Sequence, residues 1–547
     1  MPFDILFFME LKNYIFLTIN KNEKIFRSIF FGALLLVGYI SFQDYGVSLD
    51  EDAYKTLSYI DYNFIKEVVL NLFTIDFKES FKNYIQLSAK SSSFFYVFLY
   101  FLKDILKFDL NAFAHIFLNF FFILSLYFFF LIIKDRFKSN FFSYLSVLII
   151  FSSPRIFAES FYNPRDLFYL CLIIINIYFV KKLFTNLNYK NIILYSIITG
   201  ICLHVRIFTL FFLFSTLIFL ICEYEGKLKN KIIFKKIIAI LILSFLSLIL
   251  ITPYLWINTF SNFFNFYLLD LKITSTVKVT NQFFGELYSS QNSPWYYYLI
   301  WFFFTTPLIY VFYLLTGYIY SAKEIIYRFK YLTFNSKPWG NKNELFDTYV
   351  FINILVISFI LFRFSNVHFD GWRHLYFLYP LLVFYIIIFL NFLYLNKKII
   401  YKFFSLLLLL NIFYNFYWII NNHPYQYVYF NYLNSLFKDK SFDLDYWSLS
   451  NYDIYKYLLK NFNYPQISIG TVSHNDLIDN YNILSENDRK RLVIKHPDTF
   501  PDFLIDNYRI PYKKEKILIL RKILKNYVKI FEISVDENII STLYQRK

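Results

Sequence analysis

The stretch IFRSIFFGALLLVGYISFQ (residues 25–43), followed at once by DYGVSLDED (residues 44–52), decides the fold. A helix of about 20 apolar residues spans the hydrocarbon core of a bilayer. The run is close to that length, and the carboxylates Asp50, Glu51 and Asp52 stand just past its end. It has no small-residue cleavage site, so it reads as a retained anchor rather than a signal peptide.

Similar runs recur through all 547 residues, 57% of which are hydrophobic. Mean hydropathy is +0.43, and so much apolar surface needs lipid to cover it. The chain therefore reads as an all-α polytopic membrane protein. Spans are expected near 25–43, 112–133, 141–153, 166–181, 191–203, 207–222, 237–256, 296–322, 347–363, 375–395 and 403–420, about eleven in all. The 74 Phe and 51 Tyr fit the bias of an AT-rich genome, along with abundant Ile, Lys and Asn, so single aromatics carry little weight. Cys171, Cys202 and Cys222 fall in or beside apolar runs, which indicates neither a disulfide framework nor a thiolate metal site.

The net charge of +16 lies mainly in short loops between the runs, a topology signal rather than a nucleic-acid stripe. Lys134, Arg136 and Lys138, then Lys181 and Lys182, Lys227 through Lys236, Lys323 through Lys330, and Lys397 through Lys402 share one side with the basic N-terminus. By the positive-inside rule that side is cytoplasmic. The outer side receives 44–92, the loops near 154–165, 257–295 and 364–374, and everything after 421. Residues 44–92 read as interfacial helices with one apolar face. Residues 1–420 form the membrane domain, and 421–547 form a small external α/β domain with strands near 467–470, 492–495 and 528–533.

Three outer constellations carry chemistry. Ser48-Leu49-Asp50-Glu51 fits a capping box, with Ser48 as N-cap and Glu51 at N3. Capping needs only those two, which leaves Asp50 for work as a general base, or Asp50 and Asp52 as ligands for a divalent cation. Ser153-Pro154-Arg155 and Asn163-Pro164-Arg165-Asp166 put arginines on the side where positive-inside sorting leaves few, and Asn163-Pro164 reads as N-cap and N1 of the next helix. With Arg206 and the pair Arg373-His374 they form a set suited to an anionic lipid headgroup, or alternatively they snorkel to the membrane surface. The polar turn His368-Phe369-Asp370-Gly371-Trp372-Arg373-His374 suits sugar and phosphate contacts, or an aromatic belt. His115 and His204 read as structural. No nucleophile elbow, phosphate-cradling glycine loop or zinc-ligand pair is present.

These motifs resemble the GT-C superfamily of membrane glycosyltransferases, in the branch of dolichyl-phosphate-mannose-protein mannosyltransferase-like proteins (glycosyltransferase family 39) and aminoarabinose transferases. The resemblance starts at Asp50-Glu51 with Tyr54 and runs through Ser153-Pro154-Arg155-Ile156-Phe157, Asn163-Pro164-Arg165-Asp166 and Phe369 to His374 with Tyr379-Pro380. It ends at His423 to Asn431 and Asp445-Tyr446-Trp447. It implies an inverting transferase, a hexosyl or pentosyl transferase of the cytoplasmic membrane. That enzyme would move a sugar from a polyprenyl-phosphate donor to a hydroxyl of a protein, glycolipid or polysaccharide acceptor on the outer face. Asp50 would be the base and Glu51 its support; Arg155, Arg165, Arg206, Arg373 and His374 would hold the donor phosphate; Tyr54, Asp370 and Trp372 would contact acceptor or sugar. No obligatory metal or other cofactor is implied, although Asp52 departs from the family element and keeps a cation at Asp50 and Asp52 open. The other class of reading is a transporter or flippase of an anionic lipid, which would place charges at mid-membrane.

Overall fold

The structure is a computed structural model, and it describes residues 22–71, 77–87, 93–227, 231–276, 279–332, 337–364, 369–436, 442–510 and 522–547. The basic N-terminus, Lys229 and His368 lie outside the described residues. Helix α1 (Glu23–Ser41) is followed by α2 (Glu51–Leu70), α3 (Phe77–Leu87) and α4 (Phe94–Leu106). The bundle continues with α5 (Leu110–Phe137), α6 (Asn140–Phe151), α7 (Pro154–Tyr162), α8 (Asp166–Thr185), α9 (Tyr189–Val205), α10 (Thr209–Tyr224) and α11 (Lys231–Ile251). After α12 (Thr259–Thr276) and a hairpin of β1 (Thr280–Phe283) and β2 (Glu286–Ser289) come α13 (Tyr297–Thr305), α14 (Leu308–Lys330), α15 (Lys342–Phe364), α16 (Tyr379–Asn396) and α17 (Lys398–Asn421).

Seven of the described helices are long and apolar enough to cross a bilayer: α1, α5, α8, α11, α15, α16 with the turn before it, and α17. The chain is a multi-pass membrane protein. The expected spans at 191–203 and 207–222 are the shorter apolar helices α9 and α10, and 141–153 is α6, which breaks by 70° into α7. The expected span 296–322 is two helices, because Pro307 lacks the N–H a continuous helix needs.

Two stretches expected to be loops hold helices, and a third helix falls where no element was expected. Residues 154–165 hold α7, with Pro154 at its first position, where proline's fixed φ suits a helix start. Residues 257–295 hold α12 and the hairpin. Helix α4 falls just after the expected interfacial segment, and its run FFYVFLYFLKDIL is too short to signal a span.

Ion pairs fix which helix ends lie together. Glu23 pairs with Lys134, Asp135 with Lys181, Arg136 with Asp347, Glu223 with Lys342 and Arg328 with Glu344, joining α1, α5, α8, α10, α14 and α15 at one end. The helices alternate in direction from there, so the segments near Asp50, Asp166, Arg206 and Arg373 meet at the opposite end. Between the ends, close packing replaces charge. A Cβ on Gly200 of α9 would stand 2.8 Å from the Leu248 backbone nitrogen of α11, so these backbones touch because the residue is glycine.

Beyond Asn421 the chain first returns along the bundle. Asn431 donates to the carbonyls of Phe303 (2.6 Å) and Thr306 (2.7 Å). Then α18 (Ser450–Asn461), β3 (Ile467–Thr471), α19 (Ile478–Asn482), α20 (Glu486–Arg491), β4 (Leu492–Ile494), β5 (Phe503–Asp506), β6 (Tyr527–Val535) and β7 (Asn538–Arg546) build a five-stranded sheet of order β4-β3-β5-β7-β6. Its β4, β3 and β5 are parallel, and β7 and β6 are antiparallel. The strands expected at 467–470, 492–495 and 528–533 correspond to β3, β4 and β6. Strands β5 and β7 have no counterpart in that reading. Trp418 Nε1, near the end of α17, donates to Asp536 between β6 and β7, at 3.2 Å.

Candidate functional site

Helix α2 begins at Glu51 with Asp50 as its N-cap by position, yet the Asp50 carboxylate caps no backbone N–H. It accepts from Arg373 Nη1 at 2.7 Å instead. The capping box is half formed: Ser48 N donates to Glu51 Oε1 at 2.8 Å, whereas Ser48 Oγ, expected to cap the helix, donates to the Tyr162 carbonyl on α7. So the first turn is fixed by Glu51, and Asp50 is free to face the site.

Glu51 is fully buried and held by Tyr96 (3.1 Å), His115 (3.2 Å) and Lys55 (3.9 Å). Burial pushes its carboxyl up, but the charges of His115 and Lys55 and hydrogen bonds from His115 and Ser48 together hold it below the usual glutamate range. His115, expected to be structural, is thus tied directly to the acidic segment.

Arg373 is the hub. Its guanidinium reaches Asp50 (2.7 Å), Asp166 (3.3 Å) and Asp370 (3.1 Å), and it lies 4.6 Å above the Trp447 ring. Asp166 is also paired with Arg206, and Asp370 with Arg509 at 2.7 Å. Three carboxylates, Asp50, Asp166 and Asp370, therefore stand against three guanidiniums, Arg206, Arg373 and Arg509. Asp50 is the most open of the set, its side chain 30% exposed against 5% for Arg373. A tight turn makes this possible: Asp370 and Gly371 both take positive φ, +53° and +72°, a region glycine enters freely and aspartate tolerates.

Of the other residues singled out from sequence, Arg165 lies over the Tyr54 ring at 5.7 Å, one turn from Asp50, and donates to its hydroxyl at 3.4 Å. His374 Nδ1 is 3.1 Å from the Tyr298 hydroxyl. Trp372 is buried against Phe302, Tyr376 and Tyr379 and donates to Thr305 at 2.8 Å, so its ring is core rather than surface. Asn163 caps α8 from further back than expected: its Oδ1 accepts from Asp166 N at 2.9 Å, and the helix starts at Asp166.

Arg155 differs from all of these. It is 2% exposed, its Nε donates to the Tyr429 carbonyl, and its guanidinium sits 5.1 Å from the ring centres of Trp301 and Phe430. Neither Nη atom has a hydrogen-bond partner among the described residues. A Cβ on Gly371 would stand 3.8 Å from its Nη1, so Arg155 borders the turn that carries Asp370 and Arg373. A buried cation without an acid is costly unless an anion arrives.

Arg509 was not singled out from sequence. The signal that marks Arg155 and Arg165, an arginine opposite the lysine-rich loops, is lost in a polar domain that also holds Arg489 and Arg491. The C-terminal domain further sets the Asp50 segment: Asn480 bonds both backbone groups of Val47 (2.9 and 3.0 Å), and Leu49 N donates to the Trp447 carbonyl at 3.2 Å. A cleft of about 470 Å³ opens beside Leu49 at the carboxyl ends of β3 and β4, with His474, Asp476 and Lys495 in its wall. Asp479, near this segment, is pushed up to about 7 by burial and by the charges of Asp476 and Asp52. Among the described residues no group of three or more His, Cys, Asp or Glu is placed to hold a metal ion.

No family model matches the sequence, and no curated protein matches it. The fold is similar to that of ArnT from Cupriavidus metallidurans bound to undecaprenyl phosphate (9% identity, 95% of this chain and 97% of that chain, TM-score 0.44). It is similar to the apo state of the same protein (10%, 95% and 98%, TM-score 0.46). It is also similar to the apo oligosaccharyltransferase of Archaeoglobus fulgidus (11%, 95% and 75%, TM-score 0.47). Likeness at this level gives no residue of this chain a role.

Proposed function

We propose that the chain is an inverting glycosyltransferase of the cytoplasmic membrane, with its N-terminus cytoplasmic and the Asp50 end outside. It takes a sugar from a polyprenyl-phosphate donor and passes it to an acceptor hydroxyl. The observation that carries this reading is the division of labour around the turn 370–373. Arg373 holds the half-open Asp50 inside a charge-balanced set, and Arg155, against the same turn, is a buried guanidinium whose Nη atoms bond to no acid among the described residues.

The chemistry follows from that division. The acceptor oxygen attacks the anomeric carbon from the face opposite the phosphate, and the C1–O bond to phosphate breaks with its electron pair going to the phosphate oxygen. The acceptor proton passes to Asp50, and polyprenyl phosphate leaves. Arg373 holds Asp50 in place by a hydrogen bond, while Arg155, with Arg165 nearer the surface, takes the charge that grows on the phosphate. Arg206 and Arg373 are then positioning groups, because each is already spent on a carboxylate. Since Arg373 already occupies Asp50, charge stabilisation is assigned to guanidinium rather than to a cation at Asp50 and Asp52. The cleft beside Leu49 is the acceptor's route to Asp50.

The test is release of polyprenyl phosphate by the purified protein in lipid, from a panel of polyprenyl-phosphate sugars. Asp50→Asn is expected to keep donor binding and lose turnover by about 10²- to 10⁴-fold, the usual range for a general base. Turnover unchanged in that variant, or donor moved across vesicles without cleavage, overturns the reading.

A further inference from the structure

Lysines are not confined to the loops assigned to the cytoplasm: seven lie between Asp50 and Leu110, and three of them gather in one cleft. Lys66 of α2 with Lys103 of α4 and Lys107 just after it line a cleft of about 550 Å³, together with Tyr59, Tyr62 and Tyr100. Asp104 is the single acid in its wall, and it is already bonded by Lys66 and Tyr62. Three lysines against one aspartate leave a net charge of +2. Lys103 and Lys107 are exposed and form no ion pair among the described residues. The tyrosine rings make a continuous wall: Tyr62 stacks with Tyr59 at 6.0 Å and with Tyr100 at 5.5 Å.

The depth of this cleft in the membrane can be read from its neighbours. Phe108, in the wall, stacks at 3.8 Å on Phe113, in the first turn of the spanning helix α5. Beside the lysines, Ile105 and Leu106 are 75% and 60% exposed, and Val69 and Leu70 at the end of α2 are as open. Apolar residues exposed next to lysines at the mouth of a spanning helix belong at the bilayer surface, apolar side in lipid and charged side among the headgroups.

We propose that this cleft binds the phosphate-bearing headgroup of a membrane lipid, with Lys103 and Lys107 on the phosphate and Tyr59 and Tyr100 packed against the rest of the headgroup. The site is separate from the Asp50 and Arg373 network and does not depend on the transfer reaction. Its chemistry is a phosphate ester of net negative charge, which a lipid or a free phosphate ester could supply. The position at the bilayer surface selects the lipid.

The full-length protein in detergent would be given phosphatidic acid, phosphatidylcholine or glycerol 3-phosphate, with bound molecules counted by native mass spectrometry. Wild type is expected to retain phosphatidic acid over phosphatidylcholine. Lys103→Gln with Lys107→Gln is expected to retain it roughly thirtyfold less, given the attraction that each of two surface lysines supplies. Lys103→Arg with Lys107→Arg is expected to bind as wild type does. Equal retention of both lipids, or no loss in the glutamine variant, overturns the proposal. Full displacement by glycerol 3-phosphate overturns the choice of a lipid. Tyr59→Ala is expected to weaken retention; unchanged retention would reduce the cleft to a bare charged surface and overturn it as a site.

Discussion

The two ends of the helix bundle use charge in opposite ways. At the lysine-rich end each acid meets one or two bases, as Arg328 meets Glu344 (3.1 Å), whose side chains are 22% and 35% exposed. Such pairs register one helix against another, and each contributes about 0–1 kcal/mol. At the other end Arg373 serves three carboxylates at once, and two of the three are nearly fully buried. Buried charges of that kind are held for position rather than stability, because taking them from water costs as much as their attraction returns. The contrast separates an end whose charges register helices from the end where the proposed site lies.

Removing the hub should break the comparison most visibly. Arg373→Met leaves Asp50 without its partner and takes one of two from Asp166 and Asp370, which keep Arg206 and Arg509, and a loss of about 3 kcal/mol is expected, the low end for breaking a buried pair. Thermal unfolding of the purified protein would register it as a marked fall in Tm with loss of turnover. Were Tm unchanged, Arg206 and Arg509 alone would hold the acids and Arg373 would be no hub.

Arg155→Met sharpens the same point from the other side. With no ion pair within 4 Å to break among the described residues, and only the more distant charge of Glu159 on the same helix affected, the substitution should change Tm little while donor turnover falls by about 10² or more. A clear fall in Tm would mean that Arg155 is structural.

Asp443, in the segment leading to the sheet, titrates within reach of the site. Burial pushes its carboxyl up to about 7 against the opposing charge of Arg509 and a hydrogen bond from Gln282. A raised carboxyl favours the fold fully below its unfolded value of about 4, and that contribution is lost as pH rises through 7. Asp443→Asn should therefore gain Tm relative to wild type as pH goes from 4.5 to 8. A constant difference across that range would remove Asp443 as the source. The smallest effect is expected at the lysine-rich end: Arg328→Met should cost under about 1 kcal/mol and leave turnover intact, measured in the same two assays.

Much of the site was legible because unusual residues stood in unusual places. Asp50, Arg155, Arg165, Asp370 and Arg373 were picked out as polar groups on the side that the lysines avoid, and all but Arg165 prove to share or border one turn and its ion pairs. Trp372 shows the limit of that reasoning. Its neighbours are charged, but its ring packs between α13 and α16, and nothing in a local pattern distinguishes a buried indole from an interfacial one. The helix α7 was hidden for a different reason: it runs for only nine residues between Ser153 and Asn163, too short for the period of its polar residues Arg155 and Glu159 to stand out.

Sequence alone determined the membrane class, the alternation of helix directions and the gathering of acids and arginines at one end, because hydropathy and loop charge act locally and need no partner. Only the tertiary structure decided which guanidinium meets which acid. Arg509 reaches Asp370 across 139 positions and Arg373 reaches Asp50 across 323, distances over which no pattern in the chain carries information. Burial then decided which cation kept its charge uncommitted, and left that charge on Arg155.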